Sequence, residues 1–332
     1  MILRFFKRNL PNRMLVIFIL LSVMWIPAFF NTSLPIVTPK NHMPLYALLY
    51  KFIGTGEIVS TITSFIMVVI ILGMIIYFNT KDFFINQRTL LPALFYVLLN
   101  AIIPSNLSLN PVLPSVIFLV TAIIRIMDSY KKQGVANNYF DAGILIGVGT
   151  LFYANLIWFG LLLFIGIFLL RTVTLKEIAI ALIGLATPFL ITISFLFLSG
   201  SDIAGFIATI KSNLFMKTEI PGNTLSLPSI IALGYCGVLI LISIIDLAVK
   251  IDMKKNRTRN TFYLFLWVLI ISVLLFFLLK TVSFEIMWIA TVPLSFFLGH
   301  FFIYTKRKVL SDILIYGMVL AAIMVQLSPF IS

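Results

Sequence analysis

Residues 140–170 read FDAGILIGVGTLFYANLIWFGLLLFIGIFLL, and the way this stretch crosses a bilayer decides the threading of the whole chain. A helix needs about 20 apolar residues to cross the hydrocarbon core. This stretch is too long for one ordinary crossing and short for two. If it crossed once, every later loop would change sides, and the basic cluster at 250–259 would share a side with the sparsely charged loops. The spacing therefore predicts two short helices, 140–154 and 156–170, turning near Tyr153, Ala154 and Asn155. Helices this short are tolerated where protein or water covers their backbone.

Working outward, apolar runs predict further spans at 14–30, 58–79, 89–104, 112–127, 177–199, 227–249, 260–279, 286–304 and 311–329. The expected fold is an all-α bundle of about 11 spans, N-terminus inside and C-terminus outside. Charge supports that threading, because cytoplasmic loops are enriched in Lys and Arg. Nineteen of the 24 Lys and Arg residues fall in the inside loops, in clusters such as Arg4–Arg13, Lys250–Arg259 and Lys306–Lys308. Outside lie Lys40, Lys51, Lys211, Lys217 and Lys280.

Composition agrees. The 332 residues are 61% hydrophobic and 11% charged, with 32 phenylalanines and a formal charge of +13; mean hydropathy is +1.14. Such figures lie outside the range of soluble domains. A nucleic-acid binder would carry its charge on the face of a soluble fold, whereas here basic residues punctuate apolar runs. Cys236 is the single cysteine, so no disulfide framework forms. Arg4, Lys7, Arg8 and Arg13 ahead of an apolar run suggest a signal sequence, but Met24-Trp25-Ile26-Pro27 offers no cleavage site, which predicts a retained anchor.

Two outer loops have useful length, 31–56 and 200–226. Pro44–Phe52 predicts a short aromatic helix lying along the interface. Ile203–Phe215 predicts a second, followed by a Pro221-Gly222-Asn223 turn. Together they imply a cavity opening at the outer leaflet. Its expected lining is His42, Lys51, Asn155, Trp158, Lys211 and Glu285.

Charges beside apolar spans are costly, so each is a candidate for function. Asp82, Asp128, Asp252 and Asp312 read as plain interfacial charges. Asp141, Glu177 and Asp312 fall where inside-starting helices begin, and an acid there complements the helix dipole. Asp246 precedes Lys250 by one turn and predicts an intrahelical pair. Outside remain Glu57, Asp202, Glu219 and Glu285. Glu57 opens the second span and is the candidate catalytic base; an N-terminal helix charge is the plainer reading. Glu285, five residues beyond Lys280, suits a pair with it. His42 and His300 are isolated and make no metal site. No nucleophile elbow, phosphate loop, dinucleotide fingerprint or metalloprotease motif occurs. Asn31-Thr32-Ser33 matches a glycosylation acceptor, and Lys254–Arg259 could meet anionic headgroups.

The layout resembles the membrane module of polyprenyl-phosphate-dependent GT-C glycosyltransferases. The likeness lies in a first span, a long outer loop with an interfacial helix, and then short paired spans. It covers residues 1–200, including Phe140–Gly149 and the Phe/Leu-rich run after Tyr153; residues 201–332 add C-terminal spans to a single integral membrane domain, 1–332. The chain also resembles a poorly characterised bacterial family of multispan envelope proteins. GT-C enzymes place an acid in the first outer loop, yet 31–56 contains no Asp or Glu, and Glu57 at its end is the substitute. The resemblance thus implies a multi-pass protein of the bacterial inner membrane, serving envelope glycan or surface assembly as a non-catalytic or degenerate subunit. An active transferase is the alternative, and only that reading implies a divalent cation; no other cofactor is expected. A small-molecule or lipid transporter is a third reading. Expected partners are the bilayer, a polyprenyl-phosphate lipid and other envelope proteins, and no nucleic acid.

Overall fold

The computed structural model describes residues 5–6, 11–30, 42–53, 56–81, 89–102, 107, 109–132, 134–170, 174–215 and 226–331. Among the described residues there are 13 α-helices and no strand. In chain order they are α1 (Pro11–Phe30), α2 (Pro44–Ile53), α3 (Glu57–Lys81), α4 (Leu91–Ala101), α5 (Val112–Asp128), α6 (Ala136–Thr150), α7 (Leu161–Leu170), α8 (Leu175–Leu198), α9 (Ile203–Phe215), α10 (Leu227–Lys250), α11 (Asn256–Leu278), α12 (Met287–Tyr304) and α13 (Lys308–Ile331). Short 3₁₀ segments at Ala154–Gly160, Ile251–Met253 and Phe284–Ile286 join some of them. Among the described residues, seven helical stretches are long and apolar enough to cross a membrane: Asn12–Phe30, Ile58–Lys81, Leu175–Leu198, Leu227–Met253, Asn256–Leu278, Phe284–Tyr304 and Lys308–Ser328. The chain is therefore an integral membrane protein with multiple apolar helices.

Hydrogen bonds and an ion pair sort the helix ends into two groups. At one, the basic end, Lys81 Nζ meets Asp128 Oδ2 at 3.0 Å, and Asn260 Nδ2 donates to Leu169 O at 2.8 Å. Leu90 N and Thr89 Oγ1 both donate to Phe6 O there, each at 3.1 Å. At the opposite end, Leu45 N donates to Leu151 O at 3.1 Å, and Thr291 Oγ1 donates to Asn100 Oδ1 at 3.2 Å. The chain of 140–170 runs between these ends and back. α6 stops at Thr150, the chain turns through Leu151–Tyr153, and the 3₁₀ segment and α7 return. α6 begins at Ala136, so Asp141 lies beyond its first turn and faces Arg125 at 3.9 Å, rather than marking the helix start.

Two packings organise the bundle. The first is an antiparallel pair, α4 on α12. Every residue of α4 is buried, and 89% of the apolar window of Phe284–Tyr304 lies inside the protein. Gly299 is what lets them close: a Cβ there would stand 3.0 Å from Pro92 Cγ. Phe95 stacks on Phe302 with ring centroids 5.0 Å apart. Because helices in lipid have no mutual hydrophobic drive, close approach at small residues supplies the packing energy.

The second is a parallel pair, α6 on α8. Gly143 and Gly147 form a Gly-x-x-x-Gly step, and the buried stripe of α8 is Glu177, Ala181, Gly184 and Pro188. A Cβ on Gly143 would stand 2.7 Å from Ala181 O, and one on Gly147 equally close to Leu185 O. Gly184 in turn sits on the Phe140 backbone. The remaining faces of α8 carry exposed Leu182, Ile183, Leu190, Ile191 and Phe195, the composition of a lipid-facing surface. α8 is thus held by one narrow stripe.

Hydroxyls inside the bundle satisfy themselves. Ser64, Thr121, Thr150, Ser243 and Ser272 each donate to the carbonyl four residues earlier. Where no water competes, that bond removes the cost of a buried hydroxyl.

Candidate functional site

The opposite end gathers polar side chains from five segments. α2 begins after His42, and the spacing His42, Tyr46, Tyr50 sets three rings on one side of it. The His42 ring stacks on Tyr50 at 5.7 Å between centroids and tilts against Tyr46 at 5.5 Å. Tyr46 is 1% exposed, and its hydroxyl donates to Leu109 O at 3.4 Å. The turn after α6 contributes buried Tyr153, and the following 3₁₀ segment contributes Asn155. Asn155 Nδ2 donates to Thr281 Oγ1 at 3.3 Å and to Asn213 O, at the end of α9, at 3.5 Å. Glu285, on the 3₁₀ turn ahead of α12, lies within electrostatic reach of both Tyr46 and Tyr153.

Three atoms of this cluster are buried without a hydrogen-bond partner: His42 Nδ1, Asn155 Oδ1 and Glu285 Oε1. Unsatisfied buried polar atoms each cost about 1–3 kcal/mol. Several on neighbouring side chains are therefore uncommon in a purely structural core. Burial holds the His42 imidazole below its ordinary pKa, so its neutral form is favoured. Burial first, the Glu285 carboxylate second and Tyr50 third push the Tyr46 phenol up, so it remains a donor. The cluster combines two vacant oxygen acceptors, phenol hydroxyls and flat aromatic faces.

Of the expected lining residues, His42 and Glu285 both neighbour Tyr46, and Glu285 and Asn155 both neighbour Tyr153. Lys51 and Lys211 are exposed, and Trp158 is partly so at 37%. Glu57 begins α3, but its side chain lies outside the described residues, as do Glu219, Asp82, Lys217 and Asn31-Thr32-Ser33. No ion pair joins Glu285 to Lys280 among the described residues, and Glu285 Oε1 is buried without a hydrogen-bond partner. The intrahelical pair of Asp246 with Lys250 is present. Tyr46, Tyr50, Tyr153 and Thr281 were not expected. The four-residue spacing of His42, Tyr46 and Tyr50 is the signal that points to two of them.

The basic end holds a buried histidine. His300 is 1% exposed, and neither ring nitrogen has a partner. Its ring packs edge-on to Phe262 at 5.2 Å and against Tyr304 at 4.6 Å. Lys254 Nζ stands 3.7 Å above the Tyr304 ring, a cation–π contact that caps the site. No three His, Cys, Asp or Glu side chains group as metal ligands among the described residues.

No curated protein and no solved structure matches the chain. A family model does match, over residues 42–330. That range takes in the polar cluster and all the helices from α2 to α12. The chain accordingly belongs to DUF6427, a family of unknown function.

Proposed function

We propose that the protein is a subunit of the bacterial cytoplasmic membrane that holds a hydroxyl-rich lipid headgroup at its outer end without transferring it, a GT-C-like module used for binding in envelope glycan or surface assembly. The observation that carries this reading is that Glu285 Oε1, Asn155 Oδ1 and His42 Nδ1, on residues that neighbour Tyr46 or Tyr153, are buried atoms without partners. Neighbouring saccharide hydroxyls donate one to a carboxylate and one to an amide oxygen, and a sugar face lies well on the Tyr50 and His42 rings. The sugar end of a polyprenyl-phosphate lipid combines both features with a tail suited to the bundle. By the positive-inside rule the basic end faces the cytoplasm and the cluster faces out. α4 to α7 then act as short passes that bring the crossings to eleven. The described part of the cluster holds one carboxylate, Glu285, which suits recognition better than acid–base chemistry on a pair.

Native mass spectrometry on protein extracted gently from its own membrane tests this. Wild type is expected to carry a polyprenyl-linked saccharide mass, and Glu285→Gln and Asn155→Ala to lose it. Retention of the same mass in both variants, or its absence from wild type, refutes the reading. Transfer activity that vanishes in Glu57→Ala would replace it with the transferase.

A further inference from the structure

A cavity of about 400 Å³ opens between α1, α4 and α13, lined by Phe5, Phe6, Val16, Leu20, Leu94, Ile315, Tyr316 and Val319. Its size is that of a small-molecule site, yet every lining side chain is apolar or aromatic. The groove starts at the basic end, because the Phe6 carbonyl is held there by Leu90 N and Thr89 Oγ1, each at 3.1 Å. Cations stand at that end. The Arg13 guanidinium lies 5.0 Å over the Phe5 ring, and Arg307 and Lys308 are exposed at the start of α13. Ile315 and Val319 sit about 10 and 16 Å further along α13 than Lys308, taken as helical rise. The gradient from positive mouth to apolar depth matches a molecule with an anionic head and a hydrocarbon tail.

We infer that this groove is a docking site for one anionic phospholipid, with an acyl chain between α1, α4 and α13 and its phosphate at Arg13, Arg307 and Lys308. The site is separate from the Glu285 cluster, which lies at the other end of the bundle. It also differs from general lipid contact. Bulk lipid exchanges along the exposed faces of α8 and α10, whereas a lipid in a groove is held on three helices and read by charge. Basic residues near a membrane surface attract anionic headgroups, and the attraction falls off within a Debye length.

The test uses the full chain in mild detergent, supplied with phosphatidylglycerol or phosphatidylcholine of identical acyl chains and read by native mass spectrometry. One phosphatidylglycerol is expected to remain bound where phosphatidylcholine does not. Val319→Trp fills the groove from α13 and Val16→Trp from α1; each is expected to weaken retention by at least roughly tenfold. Arg13→Gln with Lys308→Gln is expected to reduce it by roughly thirtyfold and erase the headgroup preference. Both positions lie at the mouth, so that pair reads the site even if a tryptophan variant misfolds. Leu241→Trp, on an exposed face of α10, should leave retention unchanged. Equal binding of the two lipids by wild type, or retention untouched by the groove and charge variants, overturns the proposal. A dimer dissolved by Val319→Trp would assign the groove to a second copy of the chain and overturn it equally.

Discussion

Replacing Gly147 by alanine adds one methyl group at the α6–α8 seam, and the structure says where it goes. The new Cβ would stand 2.7 Å from Leu185 O and 2.9 Å from Pro188 Cγ, against the 3.4 Å at which ordinary van der Waals contact begins. The helices must part by about 0.7 Å, or Pro188 must yield. A gap of that size forfeits a quarter to a half of the dispersion well for the atoms along the stripe. Overpacking in tight cores costs about 1–3 kcal/mol. α8 is held mainly by Glu177, Ala181, Gly184 and Pro188, so it has little other packing to absorb the shift. A loss of about 2 kcal/mol is expected, roughly thirtyfold in the folded-to-unfolded ratio. Gly73→Ala and Gly237→Ala serve as controls, since nothing lies within 4 Å of a Cβ at either position. There the helix propensity of alanine should be neutral or favourable by about 0.5–1 kcal/mol. Equilibrium unfolding in mixed micelles, followed by circular dichroism, measures all three. Gly143→Ala combined with Gly147→Ala should cost less than the sum, because one separation of the helices relieves both clashes. A Gly147→Ala variant as stable as Gly73→Ala would refute the close-packed seam.

The other expectations follow from individual side chains. Asn100→Ala removes the acceptor for the Thr291 hydroxyl and the donor to Tyr96 O, and should cost about 1–3 kcal/mol in the same unfolding assay. Lys81→Met breaks a partly exposed pair with Asp128 and should change stability by no more than about 1 kcal/mol. Burial lowers the folded-state pKa of His42, so its neutral form stabilises the fold above the unfolded value near about 6.5 and that contribution is lost as pH falls below it. His42→Phe should flatten this acid limb of a stability–pH profile, and an unaltered limb would place the titration elsewhere. Single cysteines at Lys131 and Lys211 in a Cys236→Ser background, probed with a membrane-impermeant maleimide in intact cells, should label at Lys211 alone; labelling at Lys131 alone would invert the proposed orientation.

Membrane class and most helix positions were legible along the chain, because apolar length and hydrocarbon thickness are both one-dimensional quantities. The turn at Leu151–Tyr153 was legible too, since the basic cluster at 250–259 leaves 140–170 only one consistent path. The helix pairs were not. Gly143 and Gly147 announce a close approach, but nothing in their spacing names Ala181, Gly184 and Pro188 as the partners, or says that the pair runs parallel. The candidate site divides the same way. His42, Asn155 and Glu285 stand out as polar residues in apolar surroundings, a cost that any reading of composition detects. That His42 and Glu285 share Tyr46 as a neighbour, and that Asn155 reaches Thr281, depends on how α2, the 3₁₀ segment after α6 and the turn before α12 reach one end of the bundle. Lys51 and Lys211 had equal standing as charges in the sequence and ended exposed. Burying a charge depends on which helix covers it, and only the tertiary packing sets that.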